Sequence, residues 1–464
     1  MVQRRRIQVL LLLTAFSAVV FYIANREPSY QERALSSWMR ELNPDGEGDG
    51  VSQAGEAIQQ IGTNALPYIL SELRRKDSSG KLKLMEWNDK LEGRLNHELM
   101  RFTPAYERRS TARAAIGLLG TNAAPAIEEI SRNLDDRELI SESAQALALI
   151  GQPALPTIKS LACSTNDITR FGCAQTLVLF TNAAEVAPIL QSLTADAQPE
   201  VRALAAFGLG NSVGAPPSNV PLLIQLLNDA DKSVQASACH SLGHFSNSAA
   251  IIVPALSNVL VTAVLNDFSL CNSASHSLRM IGPASIPTFL SLLSHPDGQL
   301  RAIAVRYLGS FPGEATNHVA ELLPLLRDRD PRVRNSALMT LRRVPVDPAR
   351  LIPALAEAFA RETDANTREM FLIAFQQFGE PATNALPTLI KLTRDATGNE
   401  RTALLLTIAA IDEDAAKDLD ADATMLESGR SSREYLRDNF LNPYGTKRVE
   451  EGLPPPSFAP PPSP

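Results

Sequence analysis

Prolines recur along this chain at a nearly constant spacing. The series is Pro67, Pro125, Pro156, Pro188, Pro221, Pro254, Pro287, Pro324, Pro353 and Pro387. After a first interval of 58 residues, the spacings are 31, 32, 33, 33, 33, 37, 29 and 34. Proline is tolerated in the first turn of a helix because its missing N–H would have no partner there. The series therefore predicts a repeated unit of about 33 residues, with a helix starting near each proline.

A second helix is predicted in each unit, beginning at an aspartate that can cap it and complement its dipole. With this aspartate as position 0, an apolar residue falls at +3, alanine at +7 and leucine at +11. Alanine fills +7 as Ala238, Ala274, Ala304 and Ala337, and leucine fills +11 as Leu242, Leu278, Leu308 and Leu341. Spacings of four place these residues on one helix face, where the small alanine lets two helices cross closely.

The alternation of Pro-x-Leu-Leu helices with Asp-x-x-Val-Arg-x-x-Ala-x-x-x-Leu helices resembles HEAT repeats. The resemblance covers about residues 54–395, apart from one insertion, and is strongest over 198–343. It implies an all-α, right-handed α-solenoid of about ten helical hairpins that acts as a binding scaffold for other proteins. Residues 38–77 are also similar to uncharacterised membrane-anchored bacterial proteins of this class.

The rest of the sequence divides around these repeats. Residues 1–28 form the N-terminal segment, and 29–75 hold an amphipathic helix, expected over 29–42, and the first repeat. The long first interval marks a helical insertion over 76–107, which we expect to pack beside the first repeats. Further repeats fill 108–399, and the acidic stretch 400–440 is expected to cap the array. Residues 441–464 are a proline-rich tail whose composition predicts disorder.

The N-terminal segment has the pattern of a membrane anchor. Residues 7–24 carry no charge and follow three arginines. As a helix these 18 residues would span about 27 Å, close to the hydrocarbon core of about 30 Å. The arginines predict a cytoplasmic N-terminus, which places the repeats on the extracytoplasmic, periplasmic side of a cytoplasmic membrane. Secretion after signal-peptide cleavage is the alternative, although the small residues of a cleavage site are lacking.

Composition and motifs oppose several function classes. A net charge of -7 argues against a nucleic-acid partner. The four cysteines are Cys163, Cys173, Cys239 and Cys271, and no two of them form a Cys-x-x-Cys pair. A Cys163–Cys173 disulfide is conceivable, but buried thiols are the simpler interpretation.

Without a metalloprotease, hydrolase, phosphate-loop or EF-hand motif, we predict no catalytic residue, cofactor, metal or small-molecule substrate. The alternative is an accessory enzyme or enzyme-assembly factor of the HEAT-like lyase type, using the concave groove.

Candidate partner-binding residues follow from position +9, which lies about 200° from the core alanine and so faces away from the core. In HEAT solenoids the second helix lines the concave surface. The predicted binding set is His240, His276, Arg279, Arg306, Tyr307, Arg342 and Arg343, with Met339 also at +9. We interpret it as a basic stripe for an acidic protein partner, with a cation–π contact from Tyr307. An ordinary solvated surface is the alternative. At +4, Arg301 and Arg334, with Asp297 and Asp330, are assigned to structural ladders between repeats.

Overall fold

A computed structural model describes residues 27–42, 53–95, 102–211, 214–264, 266–417 and 419. The predicted anchor at 7–24 and the tail at 441–464 lie outside the described residues. The chain divides into two compact units, unit 1 over Met1–Ser248 and unit 2 over Ala249–Pro464. Both units are helical, and the strands of the described residues form one two-stranded antiparallel sheet.

Among its described residues, unit 1 begins with the sheet and continues with thirteen α-helices. The strands are β1 (Ser29–Tyr30) and β2 (Arg33–Ala34). The helices are α1 (Leu35–Glu41), α2 (Gln53–Ile61), α3 (Leu66–Leu73), α4 (Ser79–Leu95), α5 (Ala105–Leu119), α6 (Ile127–Ser131), α7 (Ile140–Ile150), α8 (Leu155–Leu161), α9 (Asp167–Val178), α10 (Ala183–Leu193), α11 (Pro199–Asn211), α12 (Val220–Leu226) and α13 (Lys232–Leu242).

Unit 2 has twelve helices in its described residues. They are α14 (Ala249–Ala263), α15 (Phe268–Ile281), α16 (Ile286–Leu292), α17 (Gly298–Leu308), α18 (Pro312–Ala315), α19 (Val319–Leu322), α20 (Pro331–Leu341), α21 (Pro348–Arg361), α22 (Ala365–Phe378), α23 (Leu386–Asp395), α24 (Gly398–Ile411) and α25 (Glu413–Lys417). Within each unit, consecutive first and second helices pack against each other, which gives the all-α repeat architecture that the spacing predicts.

The second helices carry the predicted core positions. The +7 alanines and +11 leucines named above are all buried, each at 1% exposure or less. The capping aspartates also act as expected: the carboxylate of Asp297 accepts the backbone N–H groups of Gln299 and Leu300, at 2.7 and 3.1 Å. Asp231 and Asp330 cap α13 and α20 in the same way. The sequence register therefore describes the packing of these helices correctly.

The prolines occupy three kinds of position, and two of the prolines, Pro125 and Pro324, lie in the 3₁₀-helices Gly120–Ala126 and Leu323–Arg327. Pro67, Pro156, Pro221, Pro287 and Pro387 lie in the first turn of an α-helix, as predicted. Pro188, Pro254 and Pro353 lie inside helices, because α10, α14 and α21 begin one turn earlier than the prolines suggest. A first-turn placement is therefore wrong for these three repeats, although the period is unaffected.

Arginines at +4 join neighbouring repeats within each unit. Arg301 donates to both carboxylate oxygens of Asp328, at 2.8 and 2.6 Å, and to the carbonyls of His295 and Pro296, at 2.7 and 3.0 Å. The same arrangement links Arg170 with Asp196, Arg202 with Asp229, and Arg334 with Glu362. Hydrogen bonds from Arg202 lower the pKa of Asp229. The predicted ladder between repeats is confirmed. Its acidic residues lie at the end of the first helix of the next repeat, however, whereas Asp297 and Asp330 cap second helices.

Second helices also approach each other closely. In unit 1 the buried hydroxyl of Ser241 donates to the carbonyl of Ala206, at 2.8 Å, and in unit 2 Thr340 donates to Val305, at 3.0 Å. A Cβ added at Gly210 would lie 2.3 Å from the Ser241 Cβ and 2.6 Å from its Cα. The absence of a side chain at this glycine is therefore what allows α11 and α13 to pack against each other.

The N-terminal part of unit 1 differs from the expected single helix over 29–42. Its helix begins only at Leu35, after a hairpin in which Gln31 and Glu32 have positive φ values of 48° and 61°. The indole N–H of Trp38 donates to the Tyr30 carbonyl, at 3.2 Å, and Trp38 is buried. The hairpin thus covers the end of the repeat array.

The insertion forms a helix, α4, as predicted, but three of its large apolar side chains are not packed against the repeats. Leu82, Leu84 and Trp87 are 52%, 43% and 54% exposed. Polar contacts hold the start of the helix, since the Lys81 ammonium lies 2.5 Å from Asp77 and 2.7 Å from the Thr103 carbonyl.

One helical stretch in the described residues, Ser246–Ala263, is long and apolar enough to cross a membrane by length and composition. Most of it is α14, whose Ile252, Leu256 and Leu260 are fully buried. This helix packs on α15 and carries Pro254 of the repeat series. We therefore assign its apolar character to the core of a repeat.

Candidate partner-binding face

The second helices of unit 2 pack side by side in chain order, from α15 through α17, α20 and α22 to α24. Their +9 residues therefore form a row, consisting of His276, Arg306, Met339 and Ile373. His276 and Arg306 are exposed, whereas Met339 and Ile373 are half-buried. We call this row and its flanking side chains the second-helix face of unit 2.

Arg306 and Tyr307 differ in their surroundings. The Arg306 guanidinium lies 5.4 Å from the centre of the Tyr307 ring. That ring stacks on Phe289 of α16, with centroids 5.5 Å apart and planes inclined by 13°. Its hydroxyl lies 3.2 Å from the Ser275 hydroxyl of α15. Tyr307 thus has a packing role that the sequence did not reveal, and it holds the aromatic surface on which Arg306 rests.

The other predicted arginines extend the positive charge along the face. Arg279 Nη2 lies 3.3 Å from His276 Nδ1. Arg342 is half-buried: one terminal nitrogen contacts Met339 Sδ at 3.3 Å, the other donates to Gln377, and Nε is buried without a hydrogen-bond partner. Burial and the charge of Arg343 lower the pKa of Arg342. Arg343 itself is exposed.

These arginines contrast with the ladder arginines. Arg301, which is buried, and Arg334, which is half-buried, each hold a carboxylate. In the part of the chain that the structure describes, no acidic side chain lies within ion-pair distance of Arg279, Arg306, Arg342 or Arg343. The arginines at +4 are therefore paired with carboxylates of the protein itself. The second-helix face, in contrast, keeps a positive charge that the described residues do not neutralise.

An apolar groove continues the face between α22 and α24. Its volume is about 390 Å³, and its apolar lining includes Leu372, Ile373 and Ala403. At its edge Arg368 pairs with Glu400, at 2.6 Å, and Glu369 is exposed. The sequence analysis missed this groove, although Ile373 occupies +9 counted from Asp364 and so belongs to the same row.

The remaining predicted residue, His240, belongs to unit 1. It is half-buried on α13, where its ring stacks on Phe207 with centroids 5.3 Å apart. Its Nε2 lies 3.5 Å from Nε2 of His244. We therefore describe it separately from the face in unit 2.

A larger groove in unit 1 has a different character. It has a volume of about 970 Å³ and is lined by residues of α1, α3 and α5, among them Tyr68, Glu72 and Arg108. Its charges are paired internally, since Glu72 lies 2.9 Å from Arg75 and 3.4 Å from Arg108. Burial, followed by the charge of Glu72, raises the pKa of Tyr68. This groove therefore offers a partner less unpaired charge than the second-helix face of unit 2 does.

The four cysteines differ in exposure. Cys163 is exposed and Cys173 buried, and all four thiols are free. Burial raises the pKa of Cys173 and Cys239 to about 12, which keeps both thiols protonated and unreactive at neutral pH. Among the described residues, no group of three or more His, Cys, Asp or Glu side chains could hold a metal ion.

Comparison with known proteins agrees with the repeat architecture. A family model described as HEAT repeats matches residues 186–261 and 286–376. These two segments of the chain therefore consist of HEAT repeats. The HEAT repeats matched by the model lie in both units, and the remaining helical pairs continue the same arrangement on either side. No curated protein sequence matches the chain.

Solved structures with similar folds include a karyopherin and importin beta. The karyopherin Kap121p bound to the extreme C-terminus of the protein phosphatase Cdc14p has a TM-score of 0.51 at 14% identity, covering 91% of this chain and 50% of that one. Importin beta in a polyethylene glycol condition has a TM-score of 0.45 at 13% identity, covering 84% and 60%. At these identities the likeness concerns the fold alone, and the HEAT-repeat chain spans only 50–60% of these two proteins.

Proposed function

We propose that this HEAT-repeat protein is a non-enzymatic scaffold that binds a protein partner through the second-helix face of unit 2. A HEAT-repeat array is typical of protein interaction, because its stacked helices present a long surface built from equivalent positions. The unpaired arginines of the face are the observation that carries the proposal. Exposed guanidinium groups beside an aromatic ring suit the binding of carboxylates from a partner.

The shape of the face indicates the chemistry of the partner. Arg306 and Arg343 would pair with acidic side chains, and the groove at Leu372 and Ile373 would take an apolar side chain from the same segment. Charge would then guide association and orientation, while the buried apolar contact would supply affinity. Kap121p, which binds the C-terminal segment of another protein, offers a precedent at the level of the fold.

Charge reversal tests this proposal. We expect Arg306→Glu combined with Arg343→Glu to reduce partner capture by about tenfold or more, because like charges across an interface are strongly unfavourable. Capture would be measured by affinity purification of the full chain from its native membrane, with quantitative mass spectrometry. Arg350→Glu combined with Arg394→Glu is the matched control, since both arginines are exposed on first helices of the same unit. Equal capture by the face variant and the control would contradict the proposal.

We also propose that residues 7–24 tether the scaffold to a cytoplasmic membrane with its repeats outside. This proposal rests on the uncharged 18-residue stretch and the three preceding arginines. The expected result is that protease added to intact spheroplasts digests the repeats, while a cytoplasmic control protein remains intact. Full protection of the repeats would exclude this orientation, and recovery of the protein in the soluble fraction would favour cleavage instead.

A further inference from the structure

Two histidines at the end of α13 form a pair whose ring nitrogens face each other. His240 and His244 are separated by one helical turn, and their Nε2 atoms lie 3.5 Å apart. The rings meet edge to face, with centroids 5.2 Å apart and planes inclined by 73°. His240 is held by stacking on Phe207, at an interplanar angle of 19°, whereas His244 is exposed. One ring is thus fixed by packing and the other is open to solvent.

This separation is close to what two ligands of one metal ion require. Zinc–imidazole bonds are about 2.0–2.1 Å long, and two such bonds at a tetrahedral angle place the nitrogens about 3.4 Å apart. His244 lies in the turn after α13, and both imidazoles can reach one ion with little rearrangement because their Nε2 atoms are already 3.5 Å apart.

We propose that His240 and His244 form a two-histidine site for one divalent transition-metal ion of the imidazole-binding class, such as Zn²⁺, Ni²⁺ or Cu²⁺. Because the described residues supply no third histidine, cysteine or carboxylate to this pair, the remaining coordination positions are open to water or an added ligand. This proposal is independent of the binding face in unit 2.

Titration of the purified full-length chain with Zn²⁺ in a non-coordinating buffer tests the site. We expect one site with micromolar affinity that is lost in the His244→Ala variant. Removing one of two chelating groups should weaken binding by about 100-fold, because the second bond forms within an already bound complex. His276→Ala is the matched control, since this exposed histidine has Met280 rather than histidine four residues later.

A spectroscopic measurement distinguishes this pair from other weak metal sites. With one equivalent of Cu²⁺, the electron paramagnetic resonance spectrum should show coupling to two imidazole nitrogens in the wild type and one in His244→Ala. Because His244 is exposed, this variant should keep its helical circular dichroism, so lost binding would not reflect unfolding. Zinc affinity and copper coupling that His244→Ala leaves unchanged would overturn the proposal.

Discussion

Replacing Arg301 with alanine is expected to lower the free energy of unfolding of unit 2 by about 3–5 kcal/mol, because it leaves the carboxylate of Asp328 buried without its partner. Arg301 is 5% exposed, and its guanidinium also satisfies two backbone carbonyls in the turn before α17. The Arg301 side chain therefore stabilises the turn before its own helix and also joins this repeat to the next one. Lysine would keep the charge but could not reproduce the forked contact, so Arg301→Lys should recover only part of the loss.

The same helix supplies the control for this prediction. Arg306→Ala removes an exposed guanidinium without an acidic partner among the described residues, so it should change stability by about 0.5 kcal/mol or less. Urea unfolding of the full chain, with hydrogen exchange of α17 and α20 as the local measure, would compare the variants. Similar losses in Arg301→Ala and Arg306→Ala would show that the ladder does not stabilise the repeats.

Replacing Gly210 with alanine is expected to be among the most destabilising single-methyl additions in unit 1. The new Cβ would lie 2.3, 2.6 and 2.7 Å from the Cβ, Cα and carbonyl oxygen of Ser241. Two of these atoms belong to the backbone, so α11 and α13 must separate. Since this movement also weakens the Ser241 hydrogen bond to Ala206, the loss should reach or exceed about 3 kcal/mol, the upper end for overpacked cores.

Gly80→Ala is the control for Gly210→Ala. A Cβ at Gly80 meets no atom within 4 Å, so alanine there should stabilise α4 by about 0.5–1 kcal/mol through helix propensity alone. Thermal unfolding followed by circular dichroism would measure both variants. A Gly210→Ala protein as stable as Gly80→Ala would mean that α11 and α13 are not in the close contact described here.

The repeat architecture could be predicted from the sequence because its signals are local and periodic. Ala304, Leu308 and the cap Asp297 lie within twelve residues of one another, so their spacing alone identifies a helix, its buried face and its start. The same pattern in several repeats removes the ambiguity that one amphipathic segment would leave. The buried alanines and leucines confirm this interpretation.

Contacts between repeats could not be predicted in the same detail. Arg301 has an acid nearby in sequence at Asp297, yet its carboxylate partner is Asp328, which lies 27 residues away at the end of the following first helix. Tyr307 stands next to an exposed arginine in sequence, but its ring stacks on Phe289. Partner choice depends on how one hairpin stacks on the next, and spacing within a hairpin does not contain that information.

Local exceptions also limited the sequence analysis. The hairpin at residues 29–34 turns through Gln31 and Glu32 in positive-φ conformations, which asparagine and glycine usually occupy, so no turn signal marked it. The apolar groove between α22 and α24 is lined by residues of two separate repeats. Of its lining residues, only Ile373 falls on the +9 position that the sequence pattern identifies. The histidine pair lies partly beyond the end of α13, where the register stops.

The central claim is that the second-helix face of unit 2 contacts a protein partner, and site-specific photo-crosslinking tests it most directly. A photoreactive residue would replace Arg306, or Arg350 as the control on a first helix, in the full-length protein in its native cells. Mass spectrometry should identify one recurrent crosslinked protein from position 306 and none above background from position 350. No crosslinked protein from position 306, or the same products from both positions, would contradict the account.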